Sequence, residues 1–163
     1  MATRKIVKLG DDCLRKVCKK QEKFDFRLAL LLKDMADTMY KAEGVGLAAP
    51  QVGILRRVVV IDVGDGLVEL VNPEIISREG EQCGREGCLS LPGRQGIVTR
   101  PRRVTVRAQD RKGGPVEFTA EDFFARAVCH ELDHLDGRVY IDVMDRELTP
   151  EEIEGHVPED DNE

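Results

Sequence analysis

An α+β domain is predicted, with a mostly antiparallel sheet around a central helix and a second helix near the N-terminus. Three observations predict it. Two stretches repeat apolar residues at three- and four-residue steps, as amphipathic helices do. Short runs rich in valine and isoleucine, bounded by turn residues, read as strands. Lys112-Gly113-Gly114 joins two such runs as a hairpin, the mark of antiparallel pairing.

Taken in order, "IVKLGDDCLRKVC" reads as a short strand and then a turn at Gly10-Asp11-Asp12. From Phe26 to about Lys41 the apolar positions Leu28, Leu31, Leu32, Met35, Met39 and Tyr40 form one helical stripe, and Gly44 is placed to stop it. "LRRVVVIDVG" is continuous and β-branched, a buried strand. "GLVELVNPEII" gives another, ended by Asn72-Pro73. Residues 77–94 are polar, glycine-rich and irregular, a loop carrying Cys83 and Cys88. "RRVTVRAQD" alternates Val104 and Val106 with Thr105 and Arg107, a strand with one wet face, and "VEFTA" follows the glycine turn. The second helix starts from Thr119 as N-cap with Asp122 in the capping-box place. Its stripe is Phe123, Phe124, Ala127, Val128 and Leu135, and Gly137 ends it. A short acidic helix is expected after Thr149-Pro150.

With 163 residues and 41% hydrophobic content, the chain suits one globular unit with a real core. Residues 1–144 are read as a single domain and residues 145–163 as an acidic tail. The net charge of −6 is uneven: the tail holds nine acidic residues and one arginine, a net −8, which leaves the body at +2. Such a tail would not dock on RNA. With no tryptophan and few aromatics, a base-stacking surface for single-stranded nucleic acid is not expected either. Five cysteines, an odd number, without an apolar leader point to a reduced, cytoplasmic setting. No stretch approaches the roughly 20 apolar residues of a membrane span.

The chemistry begins at "AVCHELDHLDG". His130 and His134 lie one helical turn apart on one face, so their imidazoles can share one cation. Glu131 lies about 100° round the helix from His130 and can reach a metal-bound water as its general base. These are two of only three histidines in the chain. A third ligand is needed. Tyr140 stands where one protease class has its third histidine. Glu152, Glu154 and His156 lie farther on, in the tail; Cys13 and Cys18 precede a predicted surface segment. Cys129 adjoins His130 but points away from the shared face. Cys88 sits in "EGCLSLPG", where glycines and a proline fix an unusual backbone. A third segment, "EGVGLAAPQVG", leaves its backbone nearly bare, which lets another chain approach closely, and Gln51 adds an amide that could donate to an oxyanion.

Together, "GVGLAAPQ" at Gly44–Gln51, "EGCLS" at Glu86–Ser90 and "HELDH" at His130–His134 resemble the motifs of the peptide deformylase family, complete and in order, over about Ile6 to Met144. The resemblance implies that Cys88, His130 and His134 hold one divalent metal ion per chain. Ferrous iron is the expected native ion, with zinc, nickel or cobalt as substitutes. It implies Glu131 as general acid and base, with Gln51 and the backbone N–H of Leu89 binding the oxyanion. It further implies removal of the N-formyl group from formyl-methionyl nascent peptides, releasing formate. Gly44, Val45 and Gly46 are then candidate substrate-binding residues, with the bare backbone near Gly46 pairing to the peptide as an added strand. Val45, Leu91, Ile97 and Val128 are the candidates for the methionine pocket. The ribosome would be approached transiently through the body rather than the tail, with no DNA or membrane partner. One departure is Cys129, where the family commonly has glutamine; it would put a second, oxidisable thiol beside the site.

Overall fold

The computed structural model describes residues 2–155. A short 3₁₀ turn at Asp12–Arg15 precedes helix α1 (Phe26–Lys41), strand β1 (Gly46–Ala48) and a second such turn at Ala49–Val52. Strands β2 (Val58–Ile61), β3 (Val68–Glu79), β4 (Gln82–Cys88), β5 (Leu91–Arg100), β6 (Arg103–Gln109) and β7 (Pro115–Glu121) follow. Then come α2 (Asp122–Leu135), the two-residue β8 (Arg146–Glu147) and α3 (Pro150–Glu154). The strands make a five-stranded sheet, β1-β2-β3-β6-β7, and a three-stranded one, β4-β5-β8, all paired antiparallel. This is the α+β class expected.

The unbroken apolar run of β2 has a direct cause. Side chains alternate across a strand. Val58 and Val60 pack into a cluster with Leu28, Leu32, Met35 and Met39 of α1. Val59 and Ile61 pack into a second with Ala125, Val128 and Leu132 of α2. With a helix on each face, no position of β2 is left for a polar residue. Each such fully buried side chain contributes about 1.5–3 kcal/mol. Asp25 caps α1 by accepting from the N–H groups of Arg27 and Leu28, and Gly44 closes it by donating to Met39 O. Tyr40, expected on the apolar stripe, is half exposed instead, and its hydroxyl donates to Asp62. A third cluster, of Leu91, Val98, Val139 and Tyr140, anchors the small sheet.

Several expectations are corrected. "IVKLG" forms no strand; it lies extended, and its N–H groups reach the motif segments, Val7 to Gln51 O and Leu9 to Ser90 O. Asn72-Pro73 does not end β3. A bulge there, with Asn72 left-handed at φ 51°, carries the strand on to Glu79. The Asn72 side chain fastens the bulge to Gln21 and Gln109. The irregular stretch 77–94 is largely the β4–β5 hairpin. It hides from periodicity because its buried positions include charged Glu86, and because its register slips between Glu86 and Cys88. Thr119 does not cap α2. It pairs with Thr105 inside β7, and Glu121 holds the cap position without a side-chain bond. Phe123 lies half exposed rather than in the core. Gly137 does end the helix, at φ 76°; a Cβ there would stand 2.6 Å from Arg15 O.

The short helix after Thr149-Pro150 is present, capped by Thr149. Just before it, β8 pairs with β5 and Leu148 is buried. Residues 156–163, His156 among them, lie outside the described residues. No described helix is long and apolar enough to cross a membrane.

Candidate metal centre

Helix α2 and the end of β4 bring the ligand candidates together. His130 and His134 project from one face of α2, and Cys88 ends β4 beside them. One donor atom from each of Cys88, His130 and His134 lies within 4.8 Å of the others. Cys88 Sγ and His134 Nε2 are 3.4 Å apart, a spacing suited to two ligands of one ion. Both histidines are buried. A thiolate with two imidazoles is a donor set for zinc and similar first-row ions.

Burial alone would push a proton off His130. The bonds to Cys88 and Glu86 and the charge of Glu131 override it and raise this imidazole well above its ordinary range. His134, similarly buried and beside His130, is pushed well below. Glu86, Glu131 and the Cys88 sulfur thus favour positive charge at His130, while burial and the charge of His130 keep His134 neutral.

Behind His130 stands a buried ion network. Glu86 Oε1 lies 2.9 Å from His130 Nδ1. Glu86 also accepts from Arg100, through Nε and Nη2 at 2.8 Å each, and from Arg126 Nη1 at 2.7 Å. Burial would raise the Glu86 carboxyl, but Arg100 and His130 outweigh it and hold it at about 2. An ionised carboxylate can only accept, so Nδ1 of His130 carries the proton and Nε2 is left for a metal. Arg100 in turn donates to Asp133 at 2.7 Å. Sequence reasoning gives Glu86, Arg100, Arg126 and Asp133 no role.

Glu131 is buried, and that burial raises its carboxyl to about 7. Its Oε1 has no hydrogen-bond partner among the described residues, and Oε2 lies 4.0 Å from His130 Nε2. Gly46 makes room for it: a Cβ there would stand 2.5 Å from Glu131 Oε2. Gln51 is fully buried and oriented at both ends. Its Oε1 accepts from Ala48 N at 2.9 Å, and its Nε2 donates to Cys88 Sγ at 3.4 Å and Ser90 Oγ at 3.2 Å. Ser90 is another residue to which sequence reasoning gives no role. Leu89 stands in the turn between β4 and β5, packed against Gly44, where a Cβ would meet it at 2.8 Å.

These groups open into one cleft of about 380 Å³. Gly44, Val45, Gly46, Gln51, Cys88, Leu89, His130 and Glu131 all line it. Of the expected methionine-pocket residues, Val45 and Leu91 line it and Ile97 and Val128 do not. Val128 turns to the large sheet, and Ile97 lies opposite Arg146 of β8. Ala127 and Phe123 take part instead.

The other ligand candidates fall away. Glu152 is tied to Arg146 at 2.9 Å, and Tyr140 is buried in the small-sheet cluster. Cys13 donates to Pro50 O, Cys18 sits in the core, and Cys83 is exposed. Cys129 packs into that same core on the far side of α2, with burial raising its thiol to about 11. It is therefore not the reactive neighbour its place in the sequence suggests.

Comparison with known proteins fits this geometry. The family described as polypeptide deformylase matches residues 3–149. The peptide deformylase of Caldanaerobacter subterraneus is 56% identical over 155 residues, 95% of this chain and 98% of its own length. That of Caldicellulosiruptor bescii is 57% identical over 154 residues, 94% of this chain and 93% of its own length. The crystal structure of peptide deformylase from Thermotoga maritima superposes with a TM-score of 0.87 at 42% identity, covering 88% of this chain and 99% of that one.

Proposed function

The chain belongs to the polypeptide deformylase family and removes the N-formyl group from newly made polypeptides, and we propose that it does so with one divalent metal ion held by Cys88, His130 and His134. The observation that carries this reading is the meeting of those three ligands beside the buried, unpartnered carboxyl oxygen of Glu131. What the ion supplies when bound is Lewis acidity toward the formyl oxygen and a water activated near neutral pH.

The side chains do the rest. Glu131 takes the proton of the attacking water and passes it to the leaving amine, so that formate and a free N-terminus result. Gln51 Nε2, oriented through Ala48 and Ser90, donates to the formyl oxygen as negative charge builds there, joined by the Leu89 N–H. Among the described residues β1 is an edge strand, paired with β2. Its Gly44–Gly46 approach is free to pair with an extended peptide, which aligns the formyl group over Cys88. Val45, Leu91 and Ala127 give the first side chain an apolar wall.

Ferrous iron is our choice of native ion, with zinc, nickel and cobalt as substitutes, since one thiolate and two imidazoles suit them all. We place the reaction in the cytoplasm, on formyl-methionyl peptides, with transient approach to the ribosome through the body and with no DNA or membrane partner. Residues 1–144 form the catalytic unit in this reading, and the tail 145–163 has no part in the chemistry.

The test is anaerobic purification with metal analysis and a formate-release assay on a formyl-Met peptide. One divalent ion per chain is expected, with activity lost on chelation and restored by ferrous iron, nickel or cobalt. Full turnover in metal-free protein would end the reading. A variant at Gly46 probes the base. Gly46→Ala would force its methyl against Glu131, and a displacement on the order of 1 Å is expected to lower kcat about 100-fold with metal content unchanged. Near-normal kcat in this variant would remove Glu131 from the chemistry.

A further inference from the structure

Two clefts adjoin behind α2, away from the ligand group. One, of about 400 Å³, has Arg57, Arg78, Arg100 and Arg138 in its walls and Cys129 among its other lining residues. It shares no lining residue with the cleft over Glu131. The other continues from it across Arg57, Pro73 and Glu74, and adds Lys20 and Arg107.

Four guanidiniums around one cleft need counter-charge, and three carboxylates line it: Glu74, Asp133 and Asp136. Asp133 accepts from Arg100 at 2.7 Å and Asp136 from Arg57 at 3.0 Å. Glu74 makes no ion pair among the described residues, and neither Arg78 nor Arg138 has a side-chain hydrogen bond or ion pair among them. Exposed Arg27, Arg56 and Arg103 are likewise unpaired among the described residues, but they line neither cleft, whereas Arg78 and Arg138 share one. Acidic residues outnumber Lys and Arg by 31 to 25, and exposed arginines such as Arg94, Arg102, Arg111 and Arg146 each hold a carboxylate. Arg78 and Arg138 instead face a concavity in which Asp136 and Asp133 already offset Arg57 and Arg100, and four guanidiniums against three carboxylates leave it one positive charge. A concave surface with a net charge concentrates the counter-ion. The planar guanidinium fork matches the oxygen pairs of a tetrahedral oxyanion.

We propose that this cleft is a phosphate-binding site, with Arg78 and Arg138 as the principal ligands and Arg57 beside them. The phosphate is either free inorganic phosphate or a phosphate of an RNA backbone. The continuation past Arg57 to Lys20 and Arg107 gives a strand of successive phosphates somewhere to run.

The experiment uses the metal-loaded full chain at constant ionic strength. Inorganic phosphate is titrated against chloride as control, following the thermal midpoint and the arginine Nε–H resonances. A saturable response to phosphate and none to chloride is expected. The Arg78→Ala/Arg138→Ala double variant should bind roughly tenfold or more weakly, given the strength of charge-assisted bonds. Its formate release without phosphate should be unchanged, because neither residue touches the catalytic cleft. The shape-keeping Arg78→Gln/Arg138→Gln pair guards against a packing artefact and should behave alike. A second arm replaces phosphate with a short single-stranded oligoribonucleotide. Binding that is tighter than phosphate, falls steeply with salt and is lost in the double variant identifies the RNA backbone as the source. Binding of inorganic phosphate alone identifies the free anion. If neither binds, or if wild type and double variants bind equally, the proposal is overturned.

Discussion

Glu131→Gln is expected to keep the metal and lose turnover, with kcat on a formyl-Met peptide falling by about 10²–10⁴-fold, the range that general acid–base groups supply. The carboxamide has nearly the shape of the carboxylate, so the space left by Gly46 still accommodates it. None of Cys88, His130 and His134 is altered. What disappears is an atom that can accept a proton and give it back. In the native chain Glu131 is buried, its Oε1 has no partner among the described residues, and burial raises its carboxyl to about 7. A group held that way is a cost to folding, so the amide variant should melt no lower than the parent. Activity lost with stability kept separates a chemical role from a structural one. Metal analysis, a thermal melt and single-turnover formate release decide it. A variant that deformylates at the parental rate would show that the proton travels another way.

How legible the molecule is in its sequence depends on what each segment buries. β2 and α1 are legible because their buried faces are almost wholly apolar, and burial then writes a period into the chain. The β4–β5 hairpin is not, because β4 buries Glu86 and β5 ends on buried Arg100. Polar residues on a buried face look like a loop. The network of Glu86, Arg100, Arg126 and Asp133 leaves only one trace, the acidic positions inside "EGC" and "HELDH", which periodicity has no means to value. The pocket wall is legible if helical phase is followed from His130. Ala127 precedes it by three positions and Phe123 by seven, so both share its face of α2. Val128 precedes it by two and must turn to the sheet. Cys88 is legible only through its whole motif, since no spacing rule links a residue on a distant strand to the histidine helix; the fold alone sets it 3.4 Å from His134 Nε2.

The largest effect on folding is expected from Glu86→Gln. Three cationic or donor groups converge on this one carboxylate: Arg100, Arg126 and the Nδ1–H of His130. A carboxamide offers one acceptor oxygen, and its NH₂ either faces a guanidinium, which can only donate, or donates to His130 Nδ1 and reverses its tautomer. Both guanidiniums stay buried, at 7% side-chain exposure each, and lose their shared counter-charge. Arg100 keeps Asp133, whereas Arg126 keeps, among the described residues, the neutral carbonyl of Val98 alone. Removing one partner from a buried ion pair costs about 3–5 kcal/mol, which a denaturation midpoint reads directly. A second consequence separates this from a general loss of packing. His130 depends on Glu86 to fix its tautomer, with Nδ1 protonated and Nε2 free to ligate. Loss of such a partner weakens metal affinity by roughly 10–100-fold. Affinity measured against a competing chelator, without denaturant and at a temperature where the variant is still folded, should show that drop. Leu32→Ala, a cavity variant in the α1 cluster, which holds none of the ligands, should lower stability while leaving metal affinity near the parental value. If both variants lose metal alike, Glu86 acts only through the fold; if Glu86→Gln alone does, the carboxylate sets the ligand.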